Sequence, residues 1–511
     1  MLHNVSRSLE DMLGKSYMDS VQETAVTLLG LDPAEAKALA TDKVDFFSDE
    51  FSARCDALAA KVGQQVVTPY QCDLVGAPTE SFRKASNFKA APIGGLGTVR
   101  VGQDGRAYIA AKSEHYHIPL GHNFPGYKLI TKARQLGILN ATHNNTRGYI
   151  TRLMEQKIIM DANGIAAPGA ELDAVLASQE PKVLNRLINL ETGSLAVEAG
   201  IKMMLSRFYR LDKTFKDPQY AGKTPVFLVM QDNDGGVEAN YHGTTIFAQT
   251  LRGMWPDIKE HCEKTGLYKV VGVMRNDIAD FEAKIKEYNQ GNYKTVGFLH
   301  EIILMNYGGI RVTPEYLHAA YDLCAKYDTP TMSDEIQSCM WYKGMFLFKL
   351  YGLKPDFVII GKGFPGGEYP ASKVITTYEM DSLNQFGALV TNGQEELASL
   401  AYLITMEFVR ENGDAIADIG SKVDAMLEVL AAEYPCIEKI EGLGHLAAIH
   451  FQSVEDAGKF AKIVNGKCID VSAQLYKANC PPAVLLKLPL LTGEAVIALL
   501  KEKFTEALKE M

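Results

Sequence analysis

Apolar residues recur along this chain at two different spacings, and the spacing changes from one region to the next. Over roughly the first 90 residues they recur every three or four positions, as in DEFSARCDALAAKV (49–62), which is typical of amphipathic helices. The stretch LDPAEAKALATDKVDFF (31–47) predicts a helix that begins at Pro33 with Asp32 as its N-cap. We therefore predict an N-terminal helical extension over residues 1–92.

The next segment alternates apolar and polar residues. In GTVRVGQDGRAYIAA (97–111) this alternation runs on both sides of a Gln-Asp-Gly turn, which is typical of a β-hairpin. We assign residues 93–130 to a hairpin segment that joins a smaller domain near the C-terminus.

Short apolar runs then alternate with helical patterns over residues 131–394. The candidate strands are TPVFLVMQD (224–232), YKVVGVM (268–274), KTVGFLHEIIL (294–304), TPTMSDEI (329–336) and DFVIIGKG (356–363). This order predicts a large α/β domain whose mostly parallel sheet is covered by helices on both faces. Residues 395–511 contain two long helical patterns around a pair of strands, and they predict the smaller α+β domain.

Composition and charge exclude several classes of protein. The 511 residues are 47% hydrophobic and 22% charged, as in ordinary globular proteins, and the net charge of −10 argues against a general nucleic-acid binder. No apolar run approaches the length of a membrane span, and the acid-containing N-terminus differs from targeting peptides, so we expect a cytoplasmic protein.

The cysteines and histidines do not predict a metal site. The eight cysteines are scattered and form no C-x-x-C pair, so neither a disulfide framework nor a zinc site is expected. His115, His117 and His122 lie close together in EHYHIPLGH (114–122), but histidines at this spacing pack together as readily as they bind metal.

Polar residues follow several of the predicted strands, at the edge where ligands collect in parallel sheets. Asp334 and Gln337 follow one apolar run, and Lys362 follows another. Each has an ordinary alternative: Lys362 alone could be a surface lysine, and Asp334 alone could cap a helix. Two further segments add a helix start of small residues, Thr192 to Ser194, and an aromatic residue before His-Gly. Together these groups predict a pocket for a flat, anionic cofactor that carries an aldehyde.

The same segments resemble the class III aminotransferases, which are fold type I enzymes that use pyridoxal 5′-phosphate (PLP). The resemblance extends from about residue 93 to the C-terminus and follows the family's order of motifs. The similar segments are RVGQDGRAYI, LGHNFPG, ETGSLAVEAGIK, YHGTT, SDEIQS, IIGKGFPGGEYPASKV and TNGQEELA. This resemblance implies a large PLP-binding domain, a smaller α+β domain and a homodimer or higher homo-oligomer.

The resemblance also implies a role for each matching residue. Lys362 would form the Schiff base with the cofactor and shuttle a proton, and Asp334 would keep the pyridine nitrogen protonated. Gln337 would contact the ring hydroxyl, Tyr241 would stack on the ring, and His242 belongs to the same aromatic-His-Gly segment.

The phosphate-binding residues implied by the resemblance come from two parts of the chain. Thr192, Gly193 and Ser194 would hold the phosphate at the start of a helix. Thr391 would add a contact from the second subunit of a dimer.

The departures from the family pattern are concentrated among the residues that would contact the substrate. Glu301 is kept without the proline that usually follows it, and Trp341 stands in a segment that is usually rich in glycine. Lys487 replaces the arginine that often binds a substrate carboxylate, and it offers a point charge instead of a planar fork. We take these three residues as candidate substrate contacts.

Three hypotheses about function follow. The first is a PLP-dependent aminotransferase acting between an amine or amino acid and an oxo acid. The second is a PLP-dependent aminomutase, racemase, epimerase or lyase on the same fold. The third, a non-catalytic binding protein, is disfavoured because packing alone does not require Lys362, Asp334 and Gln337 at strand ends.

Overall fold

The computed structural model of the protein describes residues 1–475 and 480–511. The α-helical segments are, in chain order, α1 (Leu9–Leu13), α2 (Lys15–Thr24), α3 (Pro33–Thr41), α4 (Asp49–Ala59), α5 (Glu80–Ala85), α6 (Ser113–Tyr116), α7 (Lys128–Gln135), α8 (Tyr149–Asn163), α9 (Ala170–Ala177), α10 (Gly193–Leu205), α11 (Ile246–Thr250), α12 (Pro256–Thr265), α13 (Ile278–Glu287), α14 (Pro314–Lys326), α15 (Leu347–Leu350), α16 (Glu396–Glu411), α17 (Gly413–Glu433), α18 (Val454–Gly466) and α19 (Glu494–Lys509).

The strands are short, and most of them belong to three sheets. They are β1 (Ser6–Arg7), β2 (Val44–Asp45), β3 (Pro92–Leu96), β4 (Val99–Gly102), β5 (Ala107–Ile109), β6 (Leu184–Leu190), β7 (Thr224–Met230), β8 (Lys269–Val273), β9 (Tyr293–His300), β10 (Ile303–Leu304), β11 (Ile310–Arg311), β12 (Thr331–Asp334), β13 (Phe357–Ile360), β14 (Ser372–Thr377), β15 (Ile437–Leu443), β16 (Leu446–Phe451), β17 (Ser472–Ala473) and β18 (Ala483–Lys487).

The largest sheet has seven strands in the order β6-β14-β13-β12-β9-β7-β8. Strand β14 runs antiparallel to both of its neighbours, and the other strand pairs of this sheet are parallel. The predicted α/β fold with a mostly parallel sheet is therefore confirmed. The sequence analysis missed β6 and β14, because polar residues interrupt both strands and remove the apolar run that marks a buried strand.

Helices cover both faces of this sheet, and strand β13 shows how alternate residues serve the two sides. Phe357 and Ile359 pack in a cluster with residues of α10, whereas Val358 and Ile360 join the larger core that includes residues of α8 and α16. This alternation follows from the two-residue period of a strand. In the described ranges, no helix is both long and apolar enough to cross a lipid bilayer.

A four-stranded antiparallel sheet, in the order β15-β16-β18-β17, forms the centre of the C-terminal region. Helices α17, α18 and α19 contribute to its core. The predicted hairpin is present as β4 and β5, which pair antiparallel, and it reaches this region through a bridge between Ile109 and Ile469. Gly105 supports the hairpin turn with a φ of 76°, which favours glycine.

The N-terminal region begins with helices that pack onto the large core through Leu9, Leu13 and Met18. Helix α3 begins at Pro33 as predicted, and the Asp32 carboxylate accepts hydrogen bonds from the backbone of Ala34 and Glu35. The helical pattern ends at Ala59, and residues 60–79 contain no helix before the short α5.

The start of helix α8 is held by a carboxylate that is distant in sequence. Glu396 accepts hydrogen bonds from the backbone nitrogens of Ile150 (2.9 Å) and Thr151 (3.0 Å) and from the Thr151 hydroxyl (2.6 Å). A side chain at Gly148 would place its Cβ 2.1 Å from the carboxylate carbon of Glu396. Glycine at position 148 therefore makes room for the buried cap.

We expect Gly148→Ala to lower the free energy of unfolding by about 2 kcal/mol, because the new methyl group must displace Glu396 from this cap. Chemical denaturation measures the difference. Gly466→Ala is the matched control, because a Cβ at that position meets nothing within 4 Å. The control should be neutral or more stable by up to about 1 kcal/mol. Equal stability of Gly148→Ala and the parent chain would contradict the capping role of Glu396.

Candidate active site

Two neighbouring strands of the large sheet end at one cavity. Asp334 is the last residue of β12, and Lys362 follows the end of β13 by two residues. Both residues line a cavity of about 180 Å³. The described residues that line it are Thr192, Gly193, Ser194, Tyr241, Gly243, Glu301, Asp334, Ile336, Gln337 and Lys362. The folded chain thus brings together, at the carboxyl end of the sheet, segments that are far apart in sequence.

The Asp334 carboxylate is buried and held in one orientation. Its Oδ2 lies 2.8 Å from Nδ1 of His242, and its Oδ1 accepts a hydrogen bond of 3.1 Å from the backbone nitrogen of Ile336. His242 is equally buried, but it is not among the described residues of the cavity wall. A buried carboxylate needs such partners, since burying one without them costs several kcal/mol. His242 therefore acts on the cavity through Asp334.

Lys362 has a backbone conformation that is unusual for a residue with a side chain. Its φ of 47° lies in the left-handed region, where strain is tolerated chiefly at functional sites. Its amine lies 4.7 Å from the centre of the Tyr116 ring. Burial lowers the pKa of Lys362 to about 8, against the opposite effects of the Glu301 and Asp334 carboxylates. The amine is therefore much easier to deprotonate than that of a surface lysine.

The first turn of helix α10 faces the same cavity. Thr192 caps this helix, and its hydroxyl accepts a hydrogen bond of 3.3 Å from the backbone nitrogen of Ser194. A Cβ on Gly193 would lie 2.5 Å from the Ile336 side chain, so a larger residue would force Ile336 to move. Backbone N–H groups and the helix dipole make such a terminus a binding site for phosphate.

Three other lining side chains offer a flat ring, an amide and a carboxylate. The Gln337 amide donates a hydrogen bond of 2.7 Å to Glu301. The Gln337 oxygen Oε1 has no hydrogen-bond partner within the described part of the chain, so it can accept one from a ligand. The Arg252 guanidinium lies 5.1 Å from the centre of the Tyr241 ring.

Four of the predicted site residues are not among the described residues of the cavity wall: His242, which contacts Asp334 from behind that wall, and Thr391, Trp341 and Lys487. Thr391 is exposed on a turn before α16. Trp341 and Lys487 are both buried, and the Lys487 amine donates a hydrogen bond to the backbone carbonyl of Gln337. The order of residues in the sequence does not predict where Trp341 and Lys487 lie relative to the cavity, because this depends on how the seven-stranded and four-stranded sheets pack together.

Sequence reasoning also missed Tyr116, which lies at the end of a strained turn. The four residues of α6, from Ser113 to Tyr116, have φ values of 48°, 47°, 62° and 70°, so this is one left-handed turn. Left-handed helical conformation costs roughly 1–2 kcal/mol per residue. Hydrogen bonds of 2.8 Å from Tyr116 to Lys112 and 2.7 Å from His117 to Ser113 close the turn.

Ion pairs hold this turn in place. Glu114 pairs with the buried Arg100, which also binds Asp470 at 3.0 Å, and His122 lies 3.2 Å from the same Glu114 carboxylate. The Ser113 hydroxyl donates a hydrogen bond of 2.5 Å to the backbone carbonyl of Lys487. No sequence motif signals such a turn, because none of its residues is a glycine.

The groups that line the cavity fit PLP. The helix start offers N–H donors for a phosphate, Tyr241 offers an aromatic face, and Asp334 offers a buried carboxylate for a protonated ring nitrogen. The Lys362 amine and the open acceptor on Gln337 complete the set for an aldehyde and a ring hydroxyl.

Known proteins resemble this chain in sequence over long stretches. The sequence profile of the family described as aminotransferase class III matches residues 82–474. Acetylornithine aminotransferase from Methanocaldococcus jannaschii is 30% identical over 209 residues, which is 40% of this chain and 51% of that protein. Mitochondrial ornithine aminotransferase from Arabidopsis thaliana is 28% identical over 190 residues, 36% of this chain and 39% of that protein. The chain thus spans about half or less of these relatives' length.

The resemblance in three dimensions covers more of the chain. The PMP-bound aminotransferase from Vibrio fluvialis is 18% identical, with a TM-score of 0.65 over 86% of this chain and 96% of that one. A likeness at this identity establishes the fold. Since the family profile covers well over half of the sequence, the chain belongs to the class III aminotransferases, whose cofactor is PLP, and it has their fold type I architecture.

Proposed function

We propose that this protein is a PLP-dependent aminotransferase that moves an amino group between an amine or amino acid and an oxo acid. The observation that carries the proposal is the convergence of Lys362, Asp334 and the first turn of α10 on one cavity. The relatives named above are an ornithine and an acetylornithine aminotransferase, which supports an amino acid as one substrate.

Each residue has a distinct task in this proposal. Gly193 and Ser194 bind the cofactor phosphate, and Tyr241 keeps the ring flat against the cavity wall. When bound, the cofactor supplies an aldehyde and a ring that accepts an electron pair. Asp334, fixed by His242, holds a proton on the ring nitrogen. The Lys362 amine takes a proton from the substrate carbon and delivers it to a second carbon atom nearby.

The reaction is tested by attachment and by conversion of the cofactor. Borohydride reduction of the holoenzyme, followed by peptide mapping, should recover the cofactor on Lys362. Recovery on another lysine would overturn the assignment. A panel of amines and amino acids, including ornithine and acetylornithine, should convert the cofactor to its amine form, seen as a change in visible absorbance. Turnover of a compound without that conversion would instead indicate a mutase, racemase or lyase.

We infer that the active unit is a homodimer in which Thr391 contacts the phosphate of the partner subunit's cofactor. Two observations support this inference: Thr391 is exposed, and it is not among the described residues that line the cavity of its own chain. The cytoplasmic location stays a prediction from the sequence.

We expect Thr391→Val to weaken PLP binding by about tenfold to a hundredfold, because a hydrogen bond to a charged group contributes roughly 1.5–3 kcal/mol. Equilibrium titration with PLP measures this effect, with the exposed Thr24→Val as control. Mixing Thr391→Val subunits with Lys362→Met subunits should restore one tight site per mixed dimer, because that site combines an intact Lys362 with an intact Thr391. If mixing restores nothing, Thr391 does not act across a subunit interface.

A further inference from the structure

Two amines share one aromatic ring beside the cavity. The Lys362 nitrogen lies 4.7 Å from the centre of the Tyr116 ring, and the Lys487 nitrogen lies 4.3 Å from the same centre. The two nitrogens therefore cannot be farther apart than the sum of these distances. The left-handed turn of α6 ends at Tyr116 and so brings this ring within reach of both amines.

Lys487 is enclosed by protein groups and does not offer its amine to the cavity. The amine donates to the backbone carbonyl of Gln337, and the Trp341 ring centre lies 4.4 Å away. The side chain is completely buried. The substrate contact at Lys487 stays a prediction from the sequence, and the enclosed amine supports a different role.

The surroundings of the two amines limit how many protons they hold. The titratable groups that face Lys362 or Lys487 are the carboxylates of Glu301 and Asp334, the thiol of Cys339 and the imidazoles of His115, His117 and His445. Burial opposes every charge at this place, and two ammonium ions so close together repel each other. One proton on the pair balances these effects better than two.

We propose that Lys362 and Lys487 form a coupled pair that holds a single proton at neutral pH. The proton is on the Lys362 nitrogen while that amine is free, and the Lys487 nitrogen binds it when Lys362 gives it up. Lys487 is then a positioning residue, which acts by holding the positive charge when Lys362 does not. The inference rests on the proposed role of Lys362 as the cofactor lysine. It explains how the enclosed site keeps the same net charge when the Lys362 amine bonds to the cofactor and when it is released.

The pKa directions agree with this distribution of the proton. Burial lowers the pKa of Lys362 to about 8. Burial and the positive charge of Lys362 lower the pKa of Lys487 well below its usual range. Lys362 therefore binds the first proton, and its charge keeps Lys487 neutral.

The test measures both pKa values in the full-length chain freed of cofactor, by competitive labelling of amines with mass spectrometry from pH 6 to 11. Lys362→Met should raise the pKa of Lys487 by at least about one unit, since it removes a nearby charge. Lys487→Arg, whose charge is permanent, should lower the pKa of Lys362 by a similar amount. An unchanged Lys487 pKa in Lys362→Met would overturn the proposal. This outcome does not depend on whether Lys487→Arg folds.

A second buried lysine provides the control. Lys294 also donates to backbone carbonyls and lies over a tyrosine ring. However, it stands near the start of β9, at the end of the sheet opposite to the carboxyl ends that meet the cavity. Lys294→Met should leave both pKa values unchanged. In the holoenzyme, Lys487→Arg should also shift the pH at which the visible absorbance of the cofactor changes. If borohydride fixes the cofactor elsewhere than Lys362, the proposed function fails while the two pKa values remain measurable.

Discussion

Lys362→Ala should reduce turnover by at least about a thousandfold, the largest effect expected of any single substitution in this protein. The amine is the one basic group among the described residues that line the cavity, and burial lowers its pKa to about 8. Without it, no side chain in that wall can bond to the cofactor and carry a proton between two carbon atoms. Steady-state turnover of the donor found in the absorbance screen measures the loss.

The variant should fold and still bind PLP without a covalent bond, because the phosphate and ring contacts do not involve the amine. A small external amine such as methylamine should restore part of the lost turnover by occupying the space that Lys362 leaves. Lys294→Met controls for the loss of a buried lysine elsewhere in the sheet. Full turnover in Lys362→Ala, or none of the expected rescue with PLP still bound, would assign the proton transfer to another group.

The core of this site could be predicted from the sequence because parallel strands give two clear signals. Each central strand is a short apolar run, and the polar residue just after it stands out, as Asp334 and Lys362 do. Since parallel strands end at the same edge of a sheet, two such residues are neighbours once the strands are adjacent. The register between β12 and β13, which pairs Asp334 with Ile359, supplies that adjacency.

The residues that the sequence could not predict depend on long-range packing. Strand β14 carries Ser372, Lys373, Thr376 and Thr377 in a buried position, so periodicity does not mark it as a strand. Tyr116 reaches the site on a left-handed turn that is held by Arg100, which pairs with Glu114 of the turn and with the distant Asp470.

Lys487 shows the same limit for a residue that the sequence did select. Its position in the sequence suggests a substrate contact, but its burial between Trp341 and Tyr116 follows from how the C-terminal sheet meets the large one. The chemistry of a side chain can be read from the sequence, whereas its access to a ligand requires the packed structure.

Asp334→Asn should lower turnover by at least about a hundredfold, which corresponds to about 2.7 kcal/mol of activation free energy. An amide keeps the size of the carboxylate, so the variant should keep its fold and bind PLP. However, an amide carries no charge and cannot stabilise the proton on the ring nitrogen, and the loss is greatest where the ring must accept an electron pair. We expect the amide at position 334 to keep its place beside His242, since the imidazole can present either a donor or an acceptor to it, so the substitution tests the loss of charge.

Asp32→Asn is the matched control, since Asp32 caps helix α3 with its carboxylate and asparagine caps about as well as aspartate. That variant should keep both the stability and the turnover of the parent chain. If Asp334 were only a cap for the turn at Ile336, to which it accepts a hydrogen bond of 3.1 Å, the two substitutions should behave alike. Near-normal turnover of Asp334→Asn would therefore assign Asp334 to capping. A large loss in Asp334→Asn beside an unchanged Asp32→Asn would place the need for a negative charge at the cavity itself.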